Sequence, residues 1–394
     1  MNTSQHPLLR TLGQPARVAN VELFFDLVYV FAITQLSHYL LEHLSWPGVL
    51  QTATLWFAVW LGWQYTAWVT NWFNPEHLVI RTMLMVLMAL ALLVSAALPD
   101  AFGERGLLFA CSFAAIQVGR TLFVLYSLGP GHALTPNFLR MLCWLLVSAA
   151  LWIAGGVNEG SSRLVLWLLA VGCEYLSPMA SFPVPGLGRS QTSDWTIDGG
   201  HLAERCQLFV IIALGESVLA TGASFGHAAH PGLAVWIAFP VSFIGCVAMW
   251  WMYFDTSSGD AVHVIEHSDD PGRLGAYFHY VHVVLIAGVI VCAVADDLVV
   301  AHPLEPVKAG YAAVVAAGPL VYLLANAWLS RVVHGRFPWP HALGMGALLA
   351  LWPLLPRLNL LTAGALTTAV MVLVTMWVAY HRRQDAAATR RSDS

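Results

Sequence analysis

Apolar residues come in long runs separated by short clusters of Pro, Gly and charge. The runs cover approximately residues 21–42, 49–72, 78–98, 106–128, 138–157 and 163–181, and then 202–224, 232–254, 274–300, 307–330, 341–356 and 359–380. A helix needs about 20 apolar residues to cross a bilayer, and a few more if it tilts. Each run therefore predicts one spanning helix, the eleventh being the shortest. The expected fold class is all-α, a polytopic integral membrane protein of about twelve transmembrane helices. The expected organisation is a first six-helix half over 1–182, a Gly/Pro-rich cytoplasmic connector over 183–200, a second six-helix half over 201–381 and a basic cytoplasmic tail over 382–394.

Composition excludes a water-soluble domain. The chain is 58% hydrophobic and 10% charged, where soluble domains run roughly 45–50% and about 25%. Its formal net charge of −4 carries no basic excess, so nucleic acid is not an expected partner. The expected surroundings are the lipid bilayer, with a small ion or solute as the candidate ligand. Trp and Tyr crowd the ends of many runs, as at Trp68, Trp72, Trp250, Trp251 and Tyr253, which suits interfacial belts. Of the 18 Lys and Arg, only Arg105, Arg163, Lys308 and Arg357 fall on the side opposite the termini. The positive-inside rule then puts both termini in the cytoplasm of a bacterial inner membrane. The first run carries Glu22 and Asp26 and lacks a small-residue cleavage site, so no removable signal peptide is expected. All 6 cysteines sit in apolar runs and read as small buried hydrophobes without metal-ligand spacing.

The halves resemble each other faintly, as two parallel copies would. The first helix reads VELFFDLVYVFAI and the seventh LAERCQLFVIIAL; matching Glu22 with Glu204 sets Asp26 against Leu208, and WQY at Trp63 has a counterpart in WMY at Trp251, as Gly119 has in Gly318.

Charges inside the runs are the informative residues, because each costs about 2.5–3.5 kcal/mol at mid-bilayer on insertion scales. Glu22 and Asp26 lie one turn apart and form an acidic stripe on the first helix. The seventh helix brings His201, Glu204 and Arg205, with Glu216 further along nearly the same face, and Gly215 as a point of close backbone approach. Arg120 on the fourth helix and Glu174 on the sixth complete the candidate substrate or ion site: Glu22, Asp26, Arg120, Glu174, His201, Glu204, Arg205 and Glu216. Two readings stay open. The charges are structural ion pairs, such as Glu22 or Asp26 with Arg81, Arg120 or Arg205, or they line a hydrated path in which Asp26, Glu174 or Glu216 is a proton or cation site.

Enzyme signatures are weak. HVIEH at His263–His267 has the inverted zinc-peptidase pattern, but its short acidic connector reads as a surface turn. His279 and His282 read as a helix-packing pair, and Ser217 as a packing serine. There is no phosphate-binding loop, dinucleotide fingerprint or nucleophile elbow. No catalytic residue, metal or cofactor is expected.

Several blocks resemble one family. VELFFDLVYVFAITQLSHYL (Val21–Leu40), ALPDAFG (Ala97–Gly103), EYLSP (Glu174–Pro178), GLGRS (Gly186–Ser190) followed by DW, and GGHLAERCQLFVIIALGESVLATG (Gly199–Gly222) are similar to the bacterial low temperature requirement protein A family over about residues 15–385. The resemblance implies a multi-pass inner-membrane protein tied by name to growth in the cold, with no molecular activity to carry over. It marks Glu22, Asp26, His201, Glu204, Arg205, Gly215 and Glu216 as the matching polar positions; Cys206 and Gln207 depart from a more aromatic or apolar pair. The first helix is also similar in register to that of the lysosomal and bacterial potassium channels built from six-helix repeats. Phe25 replaces their small residue, and the second half lacks the matching Asp. The expected function is a transporter or channel-like protein for a cation, proton or small solute, with a non-transporting organiser of lipids or partner proteins as the alternative.

Overall fold

The computed structural model describes residues 6–10, 17–191, 195, 197–227, 230–256, 271–335 and 337–392. Among them are twelve α-helices and no strand: α1 Asn20–Glu42, α2 Trp46–Trp72, α3 Leu78–Ala97, α4 Gly106–Leu128, α5 Thr135–Val157, α6 Gly160–Met179, α7 Gly199–His227, α8 Leu233–Thr256, α9 Pro271–Ala301, α10 Ala309–His334, α11 Trp339–Leu351 and α12 Leu360–Ser392. Every apolar run is one helix. α12 continues to Ser392, inside the stretch expected as a tail.

Local chemistry sets the ends. The Ser45 hydroxyl accepts from the Gly48 amide at 3.3 Å and Pro47 fills the first turn, which starts α2. α10 stops at Gly335, whose φ of 69° is the left-handed cap that glycine adopts freely. Nine helices of the described residues are long and apolar enough to cross a bilayer. The other three are α2, α6 and α11. α2 carries buried Thr52, Thr54, Gln64, Thr66, Thr70 and Asn71, which dilute its hydropathy. α11 has 13 residues before a 3₁₀ turn at Trp352–Arg357, too few to span alone. Outward residues such as Met85, Val86, Leu92 and Leu93 are exposed and apolar, as lipid contact requires.

The helices group into two compact units, and the boundary falls inside α7, between Arg205 and Cys206. The first unit takes the chain up to Arg205 and the opening of α9 through Ala276. Within it α1 packs on α2 and α3, α3 on α4, α4 on α5, and α5 on α6. Its core is aromatic: Trp152 lies 5.4 Å from Trp167 and 5.1 Å from Phe113, ring centre to ring centre. The described part of the connector is tied to the first unit. Arg140 donates to the Leu187 carbonyl at 2.7 Å, Trp144 to the Pro183 carbonyl at 3.0 Å, and Trp195 packs 5.3 Å from Trp72. At the end away from Glu22, buried Arg163 donates to the carbonyls of Ala101, Gly103, Gly155 and Asn158 and joins two helix turns.

In the second unit α8 packs on α12, and α10 on α11 and α12. Close backbone approach occurs between α9 and α10, at two glycines. A Cβ on Gly288 would stand 2.7 Å from the Tyr322 amide nitrogen, and one on Gly318 would stand 2.8 Å from that of Cys292. Gly288 and Cys292 are one turn apart, as are Gly318 and Tyr322, so the antiparallel helices touch at successive turns. Gly215, expected to serve this purpose, has open space where a Cβ would go. The cysteines are all free, and only Cys206, Cys246 and Cys292 are buried. Cys111 is exposed and Cys143 and Cys173 half-buried, because an apolar run can face lipid as readily as core.

Candidate functional site

Four of the expected residues, Glu22, Asp26, His201 and Arg205, meet in one buried cluster of the first unit. Glu22 is in the first turn of α1, where its Oε2 accepts from the Ala19 amide at 2.9 Å and caps its own helix. The same oxygen accepts from the Arg10 guanidinium at 3.2 Å. Oε1 accepts from Arg205 at 2.8 Å and faces His201 Nε2 at 3.0 Å. Arg10 reaches this point because its segment pairs with the end of α2. Its amide donates to the Trp72 carbonyl at 2.8 Å, the Asn74 amide to the Leu8 carbonyl at 2.9 Å, and Arg10 Nε to the Thr70 carbonyl at 2.8 Å. Burial lowers the Arg10 pKa, against the pull of Glu22 and then Asp198. An arginine starts so high that it stays cationic.

Asn71 sets the form of His201, whose Nε2 lies 3.1 Å from the Arg10 guanidinium as well as beside Glu22. Asn71 Oδ1 accepts from the Asp198 amide at 2.9 Å, so its Nδ2 is the atom 3.1 Å from His201 Nδ1. An amide nitrogen can only donate, which makes Nδ1 the acceptor and puts the proton on Nε2, aimed at Glu22. His201 is then neutral. Two carboxylates, Glu22 and Asp26, face two guanidinium groups, Arg10 and Arg205, with Asp198 beside Arg10 and the His201 amide at the rim.

Asp26 lies one turn deeper, about 9 Å from the start of α1. Its Oδ1 accepts from Arg205 at 2.5 Å and from the Trp63 indole at 2.6 Å. Arg205 thus bridges both acids, and its guanidinium sits 5.6 Å over the Trp63 ring. Glu22, Asp26 and Arg205 all have zero exposure. Two polar atoms of the cluster have no hydrogen-bond partner among the described residues, and they belong to the same pair: Asp26 Oδ2 and Arg205 Nε. On the same face of α1, Tyr29 borders a cavity of about 10 Å³ with Gly62, Ser95 and Phe113, room for about one water.

Glu174 and Arg120 form a second buried group in the same unit. Glu174 accepts from the Trp152 indole at 2.9 Å, from the Ser148 hydroxyl and from Gln117 Nε2 at 2.6 Å. Gln117 Oε1 accepts from Arg120 at 2.6 Å, and Arg120 also donates to Thr66 Oγ1 at 3.2 Å and lies 5.2 Å over the Tyr65 ring. A glutamine relay therefore stands between acid and base.

The remaining expected positions lie elsewhere. Glu204 is exposed, because it is about 100° round the helix from Arg205 while His201 is about 40° away; Glu22, its counterpart in the repeat alignment, is fully buried. Glu216 is buried in the second unit. Arg81 pairs with Glu76 at 2.8 Å, both exposed, not with an acid of α1. His282 donates Nδ1 to the Phe278 carbonyl at 2.6 Å and accepts from the Tyr253 hydroxyl at 2.7 Å, a satisfied packing histidine. The HVIEH segment lies outside the described residues.

Sequence reasoning missed Arg10, Asn71 and Gln117, which are ordinary polar residues until the fold places them. It also passed over Asp296 and Asp297. Two acids within the apolar run VIVCAVADDLVV carry the same intramembrane-charge signal as Asp26.

A helical bundle with lipid-facing exteriors and charges neutralised inside it is the construction of a multi-pass integral membrane protein. The chain belongs to a family of them: the family model described as bacterial low temperature requirement A protein (LtrA) matches residues 17–378. It is 38% identical over 373 residues to the uncharacterized protein RA0937 of Rhizobium meliloti (strain 1021), covering 93% of this chain and 90% of that one. No solved structure matches the chain.

Proposed function

We propose that this protein is a transporter or channel-like protein of the bacterial inner membrane, with both termini cytoplasmic, that handles a proton or small cation through Asp26. The observation that carries this reading is Asp26 Oδ2, a buried carboxylate oxygen with no hydrogen-bond partner among the described residues, on an acid that shares Arg205 with Glu22. A proton arriving at Oδ2 neutralises Asp26 and leaves two cations against Glu22 alone. Arg205 then keeps its bonds to Glu22 and to Thr70 at 3.2 Å but loses its charge partner on the deeper turn of α1. Protonation would thus loosen one of the two ties between α1 and the head of α7 while the other holds. The excess of Lys and Arg on the side of the termini supports the orientation. No step of bond chemistry is assigned.

A second reading is favoured by the near-complete pairing of the cluster. On this view the charges only fasten helices, and the protein organises lipids or partner proteins. Proteoliposomes holding the full chain and a pH-sensitive dye separate the two. Transport through Asp26 gives ion-driven pH change in the wild type, none in Asp26→Asn, and wild-type rates in Glu204→Gln, whose side chain is outside the cluster. Equal rates in wild type and Asp26→Asn would overturn the assignment. Absence of flux in the wild type, with a lowered melting temperature in Asp26→Asn, selects the second reading.

A further inference from the structure

The adjacent acids of α9 have different neighbours. Asp297 accepts from the Ser224 hydroxyl. Asp296 borders a cavity of about 30 Å³ inside the second unit, room for about two waters or one dehydrated ion. Ser242, Thr367 and Thr368 border the same space, and the Ser217 hydroxyl lies 3.5 Å from Asp296 Oδ2. Val315 and Pro319 border it too. A proline has no N–H, so the Val315 carbonyl four residues back loses its helical donor.

Ser242 turns its hydroxyl toward the acid at the cavity rather than along its own helix. A hydroxyl on a membrane helix ordinarily donates to the carbonyl one turn back, as Thr221, Thr367 and Thr375 do here. Ser242 is 1% exposed and makes no such bond; its hydroxyl turns instead to the Asp296 carboxylate, as the Ser217 hydroxyl does. It is a buried polar atom at the wall of a cavity that already holds a carboxylate.

We propose that this cavity binds one alkali cation, held by the Asp296 carboxylate with the hydroxyl and carbonyl oxygens around it. Oxygen donors select hard cations. One carboxylate balances one positive charge, whereas a divalent ion would leave a charge uncompensated in an apolar interior. Cys292, Met249 and Met371 also border the space, so a soft ion such as Ag⁺ is the competing occupant. The site lies within the second unit and needs neither the Glu22–Arg205 cluster nor any flux.

The test uses the purified full chain in detergent, in choline chloride at fixed ionic strength, with ²²Na⁺ binding and melting temperature followed as NaCl or KCl replaces choline. Saturable binding of one ion per chain is expected, with a matching rise in melting temperature. Asp296→Asn abolishes both, Ser242→Ala and Thr368→Val weaken the affinity about tenfold or more, and Asp297→Asn keeps it. Indifference to Na⁺ and K⁺ relative to choline overturns the proposal, as does binding that survives Asp296→Asn, or binding of Ag⁺ alone that is lost in Cys292→Ser. If Asp296→Asn fails to fold, unchanged binding in both Ser242→Ala and Thr368→Val overturns it.

Discussion

Replacing Arg205 with methionine removes the one cation that touches both acids of α1. Its contacts of 2.8 Å to Glu22 and 2.5 Å to Asp26 put the charge centres about 4 Å apart, and at an effective dielectric near 20 each pair attracts by about 4 kcal/mol. Part of that is offset, because methionine needs no desolvation. The net loss expected for breaking a buried pair by deleting one partner is about 3–5 kcal/mol. The residual cluster holds two carboxylates against Arg10 alone. Adding Asp26→Asn restores the balance between Glu22 and Arg10, so Arg205→Met/Asp26→Asn should be more stable than Arg205→Met by about 2 kcal/mol, well short of additivity. Unfolding in mixed micelles of rising SDS fraction, followed by tryptophan fluorescence, measures all three variants, with Trp63 in contact with both partners. Additive losses, or a loss below about 1 kcal/mol for Arg205→Met, would refute the claim that these charges compensate one another.

Further expectations follow from the same contacts. Glu174→Gln puts an amide NH₂ among the donors of Ser148, Trp152 and Gln117 and should cost about 1–3 kcal/mol for the unmade bonds, measured by the same unfolding assay. The ¹⁵N shifts of His201 should show a proton on Nε2 and none on Nδ1 at neutral pH; the reverse tautomer would contradict the orientation set by Asn71. Gly288→Ala drives a methyl into the α10 backbone and should lose about 1–3 kcal/mol. Gly119→Ala, with nothing within 4 Å, should be neutral or gain up to about 1 kcal/mol from helix propensity.

The helices were legible because lipid demands long apolar runs, and a run of about 20 residues has one economical structure. Even α2, thinned by Thr and Asn, stood out by its length. Faces were less legible. The shared side of His201 and Arg205 follows from spacing alone, and the same spacing turns Glu204 away, although its charge drew it into the candidate set. Partner choice was not legible. Glu22 and Asp26 had three arginines to choose from, and only the packed fold shows Arg205 at both, Arg120 behind Gln117 and Arg81 on Glu76. Arg10 stands outside every apolar run, and nothing in its neighbours announces that Leu8 and Arg10 pair with the end of α2 and deliver it to Glu22.

Arg205 follows Asp26 by 179 residues, which has a consequence for how the chain is made. At about 5–20 residues per second, a ribosome delivers the counter-ion roughly 10–35 s after the acid. During that interval α1 is already synthesised, and Arg10 can neutralise Glu22 but not Asp26 as well. Asp26 must therefore enter the bilayer carrying a proton or wait at the translocon in water, and nascent chains halted before α7 should leave α1 uninserted more often than chains halted after it.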